Sequence, residues 1–195
     1  DVRVRFEVEG DGALALSVPR RVERVHDERT VLLVTSDTHR GDHLGFLGAV
    51  DVETPNLDAL AERGTTFTDA RSVAHITNPS HISLFTGVHV RDHGIHDNRT
   101  PVADRAVTLA ETFRDAGWAT IGVVSVRHLG NEVSGLAQGF DVFVVPDSLD
   151  YEVDGAADRV RELLREARGR PAFVWLHLFE AHSPYRPSER WRERY

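Results

Sequence analysis

Thr30-Val31-Leu32-Leu33-Val34-Thr35-Ser36-Asp37-Thr38 holds four apolar residues in a row, closed by hydroxyls and one carboxylate. A short unbroken apolar run predicts a strand covered on both faces, because a strand with one wet face would alternate. Similar runs recur at residues 120–124, 140–145 and 172–178. Between them, apolar residues return at helical spacing. Leu57, Leu60 and Ala61 share a face, with Thr54-Pro55 as N-cap and first-turn proline and Gly64 as the stop. Ala106, Leu109, Ala110, Phe113 and Ala116 precede Gly117, and Ala156, Val160, Leu163, Leu164 and Ala167 precede Gly169. Strands alternating with amphipathic helices predict an α/β protein with a mainly parallel sheet.

Outside this region the pattern differs. Residues 2–8 and 13–18 alternate around Gly10-Asp11-Gly12, which predicts a β-hairpin appendage over residues 1–25. A charged connector, Arg20 to Arg29, leads into the α/β part over residues 26–195. Pro184 to Tyr195 is rich in Arg, Glu and Pro and is expected to hold no closing strand or helix, as in a piece of a longer protein.

Composition narrows the function classes. The chain has 195 residues, enough to bury a core, and a formal charge of -8. That sign excludes a general binder of nucleic-acid backbone, which needs a basic face. It still allows a small anionic substrate, since a bound metal reverses the local field. With no cysteine there is no disulfide, thiol nucleophile or zinc–thiolate site. No apolar run reaches the roughly 18 residues that span a bilayer. Compartment and oligomeric state are left open.

Ligands of open parallel sheets bind beyond the carboxyl ends of the strands. Asp37 falls at such an end, where a carboxylate suits a hard divalent cation, although turn aspartates are also common there. The second candidate is Thr77-Asn78-Pro79-Ser80-His81-Ile82-Ser83-Leu84-Phe85-Thr86-Gly87. With Asn78 as cap, Pro79 as first residue and Gly87 as terminator, a helix is expected over 79–86. Thr77 then lies just outside a helix N-terminus, where negative charge is favoured and a metal-held hydroxyl can act as a nucleophile, although a threonine there can equally serve only the turn into the helix. Histidines gather around both features: His39, His43, His75, His81, His89, His93 and His96, with His128, His177 and His182 further on. Such a group suits proton transfer or metal ligation.

These segments resemble the sulfatases of the alkaline phosphatase superfamily. Residues 31–44 are similar to the opening metal strand. Residues 54–61 with Gly64 and Phe67 are similar to the helix and strand that follow it. Asn78 to Gly87 resembles the nucleophile motif, His93-Gly94 the loop after it, and Ala181-His182-Ser183-Pro184-Tyr185 a later substrate-binding motif. The resemblance implies a three-layer α/β/α fold, incomplete in this chain, with Asp37 as a ligand of a divalent cation. Calcium is the commonest metal of the family, with zinc or manganese as alternatives. It implies Thr77 as nucleophile and second metal contact, His81 within the motif, His93 beside the nucleophile and His182 at the ester or leaving-group oxygen.

Three departures accompany it. Thr38 stands where many sulfatases carry a second acidic ligand. Thr77 replaces the cysteine or serine that becomes formylglycine, and His81 replaces the arginine that ends the motif. The expected function is metal-dependent hydrolysis or transfer of a small sulfate or phosphorus ester. The rival readings are a catalytically silent sulfatase-like binding module and a histidine-based metal store.

Overall fold

The computed structural model describes residues 29–146, 153–185, 187 and 189–194. The hairpin expected over residues 1–25 lies outside the described residues. Four strands form one sheet: β1 (Thr30–Ser36), β2 (Ala119–Val123), β3 (Val142–Val144) and β4 (Ala172–Leu178). Their order is β1-β4-β2-β3 and every neighbouring pair is parallel. Parallel neighbours need crossover connections, and helices supply them. These are α1 (Pro55–Arg63), α2 (Thr77–Thr86), α3 (Val90–His93), α4 (Leu109–Asp115), α5 (Asn131–Ser134) and α6 (Val153–Glu166).

Strand β4 explains the layering. Its side chains alternate faces. Phe173 and Trp175 enter one apolar cluster with Ile82 and Phe85 of α2. Val174 and Leu176 enter the other, with Val160 and Leu163 of α6. The sheet is thus packed between helical layers, and β4 is buried along nearly its whole length.

The expectation fails at β1. Its apolar run predicts cover on both faces, yet Leu32 is 53% and Val34 47% exposed. Among the described residues β1 is the last strand on its side of the sheet, and α6 packs over β2 and β4 instead. An apolar run records only the strand's own composition, not whether a neighbour covers it.

Two helix starts also differ. Thr54 does not cap α1 with its side chain. Its hydroxyl donates to Asp58 Oδ1 and accepts from the Gly45 backbone N–H, each at 2.8 Å, joining α1 to the loop before it. Helix α2 begins at Thr77, with Ile76 in the cap position, and Asn78 lies inside its first turn. The backbone N–H of Asn78 is instead satisfied by Asn98 Oδ1 at 2.8 Å, a long-range substitute for a local cap. The stretch after Pro184 carries one short helix, α7 (Glu189–Arg192).

Gly139 allows the close approach of β3's leading loop to α4. Its φ is +92°, and a Cβ there would lie 2.3 Å from the backbone nitrogen of Glu111. That nitrogen belongs to a capping box with Thr108, so it cannot easily retreat. Gly139→Ala is expected to cost at least about 1–3 kcal/mol. A lowered midpoint in thermal unfolding checks this; an unshifted one would mean the loop yields.

Candidate active site

The site forms where β1 stops. The Asp37 backbone N–H still donates to Leu178 O at 2.9 Å, which continues the β1–β4 ladder by one bond. Thr38 then turns the chain at φ 53°, a left-handed conformation unusual for a β-branched residue. Its hydroxyl donates to Ala181 O at 3.0 Å and so ties the end of β1 to the loop after β4. This turn holds the Asp37 carboxylate toward the start of α2. There the Thr77 hydroxyl donates to Asp37 Oδ2 at 3.0 Å.

The Asp37 side chain is only 9% exposed, and His177 Nε2 lies 3.5 Å from the same Oδ2. Burial by itself raises the Asp37 pKa. His177 and the Thr77 hydroxyl, with His81 further off, more than reverse this and hold the carboxyl below its ordinary 3.8. Asp37 is therefore a carboxylate, and a strong acceptor for the hydroxyl facing it.

His81 lies beneath, one helical turn along α2. Its Nδ1 is 2.8 Å from the Thr77 carbonyl oxygen, and its Nε2 is 3.1 Å from Thr35 Oγ1. A carbonyl only accepts, so Nδ1 carries the proton and Nε2 accepts from the Thr35 hydroxyl. Trp175 Nε1–H donates to the same Thr35 oxygen at 3.0 Å. Burial first, and the neighbouring His177 second, push the His81 pKa down to about 4.

Two further expected residues, His93 and His182, flank this centre. His93 Nδ1 accepts from the Ile95 backbone N–H in the turn after α3, while the ring also meets Ser83 Oγ at Nε2, 3.0 Å away, and the Pro79 backbone, so it ties α3 to α2. His182 stacks on Phe179 with ring centroids 4.2 Å apart, and its Nδ1 donates to Ser183 O. The Thr38–Ala181 bond leaves it beside the end of β1. Asn98, Thr35 and Trp175 join the site without being expected from the sequence. Asn98 follows His93-Gly94 within the same loop, which was the available signal. Thr35 and Trp175 carried none, being ordinary members of strand runs.

The fit to a divalent cation is partial. Among the described residues, no three His, Asp or Glu side chains gather closely enough to hold one. Asp37 and Thr77 supply two hard oxygens at one point. Beside them His177 is fully buried, with Nε2 facing Asp37 and Nδ1 without a hydrogen-bond partner, and the Asn78 amide next to Thr77 in sequence is likewise buried and unpartnered. Orphaned buried polar atoms around paired oxygens fit one side of an ion site. Further ligands would come from outside the described residues.

A family model described as sulfatase matches residues 29–195. The chain belongs to the sulfatase family. Among curated proteins it is 34% identical over 141 residues to an N-acetylgalactosamine-6-O-sulfatase of Bacteroides thetaiotaomicron, an alignment covering 67% of this chain and 27% of that protein. A solved structure in complex with its substrate, D-glucosamine-2-N,6-O-disulfate, superposes with TM-score 0.74 at 20% identity, over 84% of this chain and 37% of that one. The phosphonate monoester hydrolase of Agrobacterium radiobacter superposes with TM-score 0.71 at 22% identity, over 84% of this chain and 43% of that one. These likenesses confirm the α/β fold expected from the sequence. The chain spans about a quarter of the length of the curated relatives it matches. No helix among the described residues is long and apolar enough to cross a membrane.

In this sulfatase-family chain the buried histidines set an acid limit. His81 has an ordinary value of 6.5 when unfolded and about 4 when folded. Between those values the unfolded state binds more protons, so stability falls as pH drops from about 6.5 to about 4. His81 alone accounts for roughly 3 kcal/mol at most. His93 and His128, also lowered first of all by burial, act in the same direction. Denaturant midpoints at pH 7 and 4.5 are expected to differ clearly, and His81→Gln to flatten part of the difference. An unchanged slope in that variant would mean that His81 is protonated freely in the fold.

Proposed function

We propose that this chain carries the nucleophile side of a metal-dependent hydrolase of sulfate or phosphorus esters, with Thr77 as the attacking group. The supporting observation is the 3.0 Å hydrogen bond from Thr77 to a carboxylate at a parallel strand's carboxyl end. Thr77 also opens a ten-residue helix, whose dipole favours an anionic group being transferred. A divalent cation, when bound at Asp37 and Thr77, supplies charge neutralisation and a lower hydroxyl pKa.

The chain's own residues do the rest. Asp37 orients the Thr77 O–H and takes the hydrogen bond along which the proton leaves. Thr77 Oγ1 forms a bond to sulfur or phosphorus as the bond to the leaving ester oxygen breaks. As the imidazolium, His182 gives its Nδ1–H to Ser183 O and keeps its Nε2–H to protonate the leaving oxygen, leaving the ring neutral. Water then cleaves the threonine ester. A threonine cannot become formylglycine, which favours phosphorus esters over sulfate esters. Calcium is the metal we assign first, by family likeness.

The test is a panel of matched aryl sulfate, aryl phosphate monoester, diaryl phosphate and aryl phosphonate substrates, offered to the full-length protein. Calcium, manganese and zinc are each supplied, with and without chelator. Cleavage of one ester class, removed by chelator and restored by one metal, is the expected outcome. Complete inertness with all three metals would favour the silent binding module, a reading that Thr38 in the second acidic position also supports.

A further inference from the structure

We propose that His81 is a positioning residue, the centre of a relay from Trp175 through Thr35 to the Thr77 backbone that sets the nucleophile on Asp37. The inference rests on the esterase reading for its catalytic meaning, but its geometry stands apart from it. Trp175 Nε1–H donates to Thr35 Oγ1, the Thr35 hydroxyl donates to His81 Nε2, and His81 Nδ1–H donates to Thr77 O. Every side-chain polar atom of this relay has a partner, and its two ends, an indole N–H that only donates and a carbonyl that only accepts, fix the directions. His81 and Trp175 are buried.

The relay closes a ring. Thr35 and Asp37 lie two residues apart along β1 and its immediate end. Thr77 is gripped twice by that segment: its carbonyl through His81 and Thr35, and its hydroxyl directly by Asp37 at 3.0 Å. Holding both ends of one residue fixes the first turn of α2 against the strand and leaves the hydroxyl one direction to point. Trp175 keys the ring to β4, packed between β1 and β2 within the sheet. His81 spends both ring nitrogens on this task, so it acts through Thr77 and does not touch the reacting atoms.

Placement of this kind governs turnover more than binding, because an error near 1 Å at the reacting centre costs on the order of 10²-fold. Thr35→Val keeps the shape of the side chain and removes the middle link. His81→Gln keeps an acceptor toward Thr35 and drops the bond to Thr77. Each is expected to lower kcat by about 10- to 100-fold with KM changed less than about twofold. The double variant is expected to be no worse than the poorer single one, since both break the same chain.

A second measurement needs no activity. In full-length protein with isotope-labelled histidine rings, the His81 resonances, assigned by their loss in His81→Gln, are expected to show the neutral Nδ1–H tautomer at pH 7. Thr35→Val is expected to shift them. An Nε2–H tautomer, or resonances unmoved by Thr35→Val, overturns the relay. So does an active protein whose two single variants keep wild-type kcat, with the esterase reading intact. If the protein cleaves no ester while the tautomer and its shift are as described, the esterase reading falls and the relay is upheld.

Discussion

Exchanging Thr77 for alanine is expected to lower kcat on the active ester by about 10³-fold or more, with little change in stability. The hydroxyl is half-buried and its one side-chain bond is to Asp37, so its loss frees a carboxylate that still reaches partial solvent. That limits the structural cost to roughly 1 kcal/mol. Neighbouring hydroxyls do not replace it: Ser80 is paired with Ser72, and Ser83 with His93. Thr77→Ser keeps the oxygen and is expected to retain activity within about tenfold, whereas Asp37→Asn keeps the shape and loses the charge, at roughly 10²-fold or more. Steady-state kinetics beside a thermal melt separate these effects. Wild-type turnover in Thr77→Ala would move the nucleophile role to a water molecule and end the covalent scheme.

Replacing Trp175 with alanine is expected to destabilise the protein by about 3–5 kcal/mol, a large part of the 5–15 kcal/mol typical of a whole domain. Trp175 is fully buried on β4. Its ring lies 4.5 Å from Phe85, 6.2 Å from Phe140 and 6.1 Å from Phe143, centroid to centroid, so it joins α2 to the sheet. It also touches His81 at 5.5 Å and holds Thr35 through its N–H. Truncation therefore leaves a cavity under α2 and removes the indole donor to the Thr35 oxygen. Trp175→Phe keeps most of the ring and is expected to cost much less, about 1 kcal/mol for the lost bond plus some packing. Denaturant midpoints measure both. A wild-type midpoint in Trp175→Ala would mean that α2 is held by other contacts.

Much of this architecture was legible in the amino-acid order. Strands β2 and β4 read correctly because both of their faces really are covered, so an apolar run was the right signal. Helix α1 read correctly because Pro55 and Gly64 mark its two ends. Misreadings came where a residue's partner was distant. Thr54 and Asn78 look like local caps, but Gly45 and Asp58 hold the first and Asn98 serves the second. β1 looks buried because its own composition says nothing about its place as the last strand among the described residues.

The sequence by itself determined the α/β class, the carboxylate at a strand's end, the hydroxyl at a helix's start and the sulfatase likeness. All of these reside in short windows, where spacing and turn chemistry act. Only the tertiary structure decided that Asp37 and Thr77 meet at 3.0 Å, that His81 turns inward to Thr35, and that His93 serves a joint between helices. Those outcomes depend on sheet order and on which side chains close over one another. Such contacts join residues tens of positions apart, and burial and hydrogen-bond partnership arise only once the chain has packed.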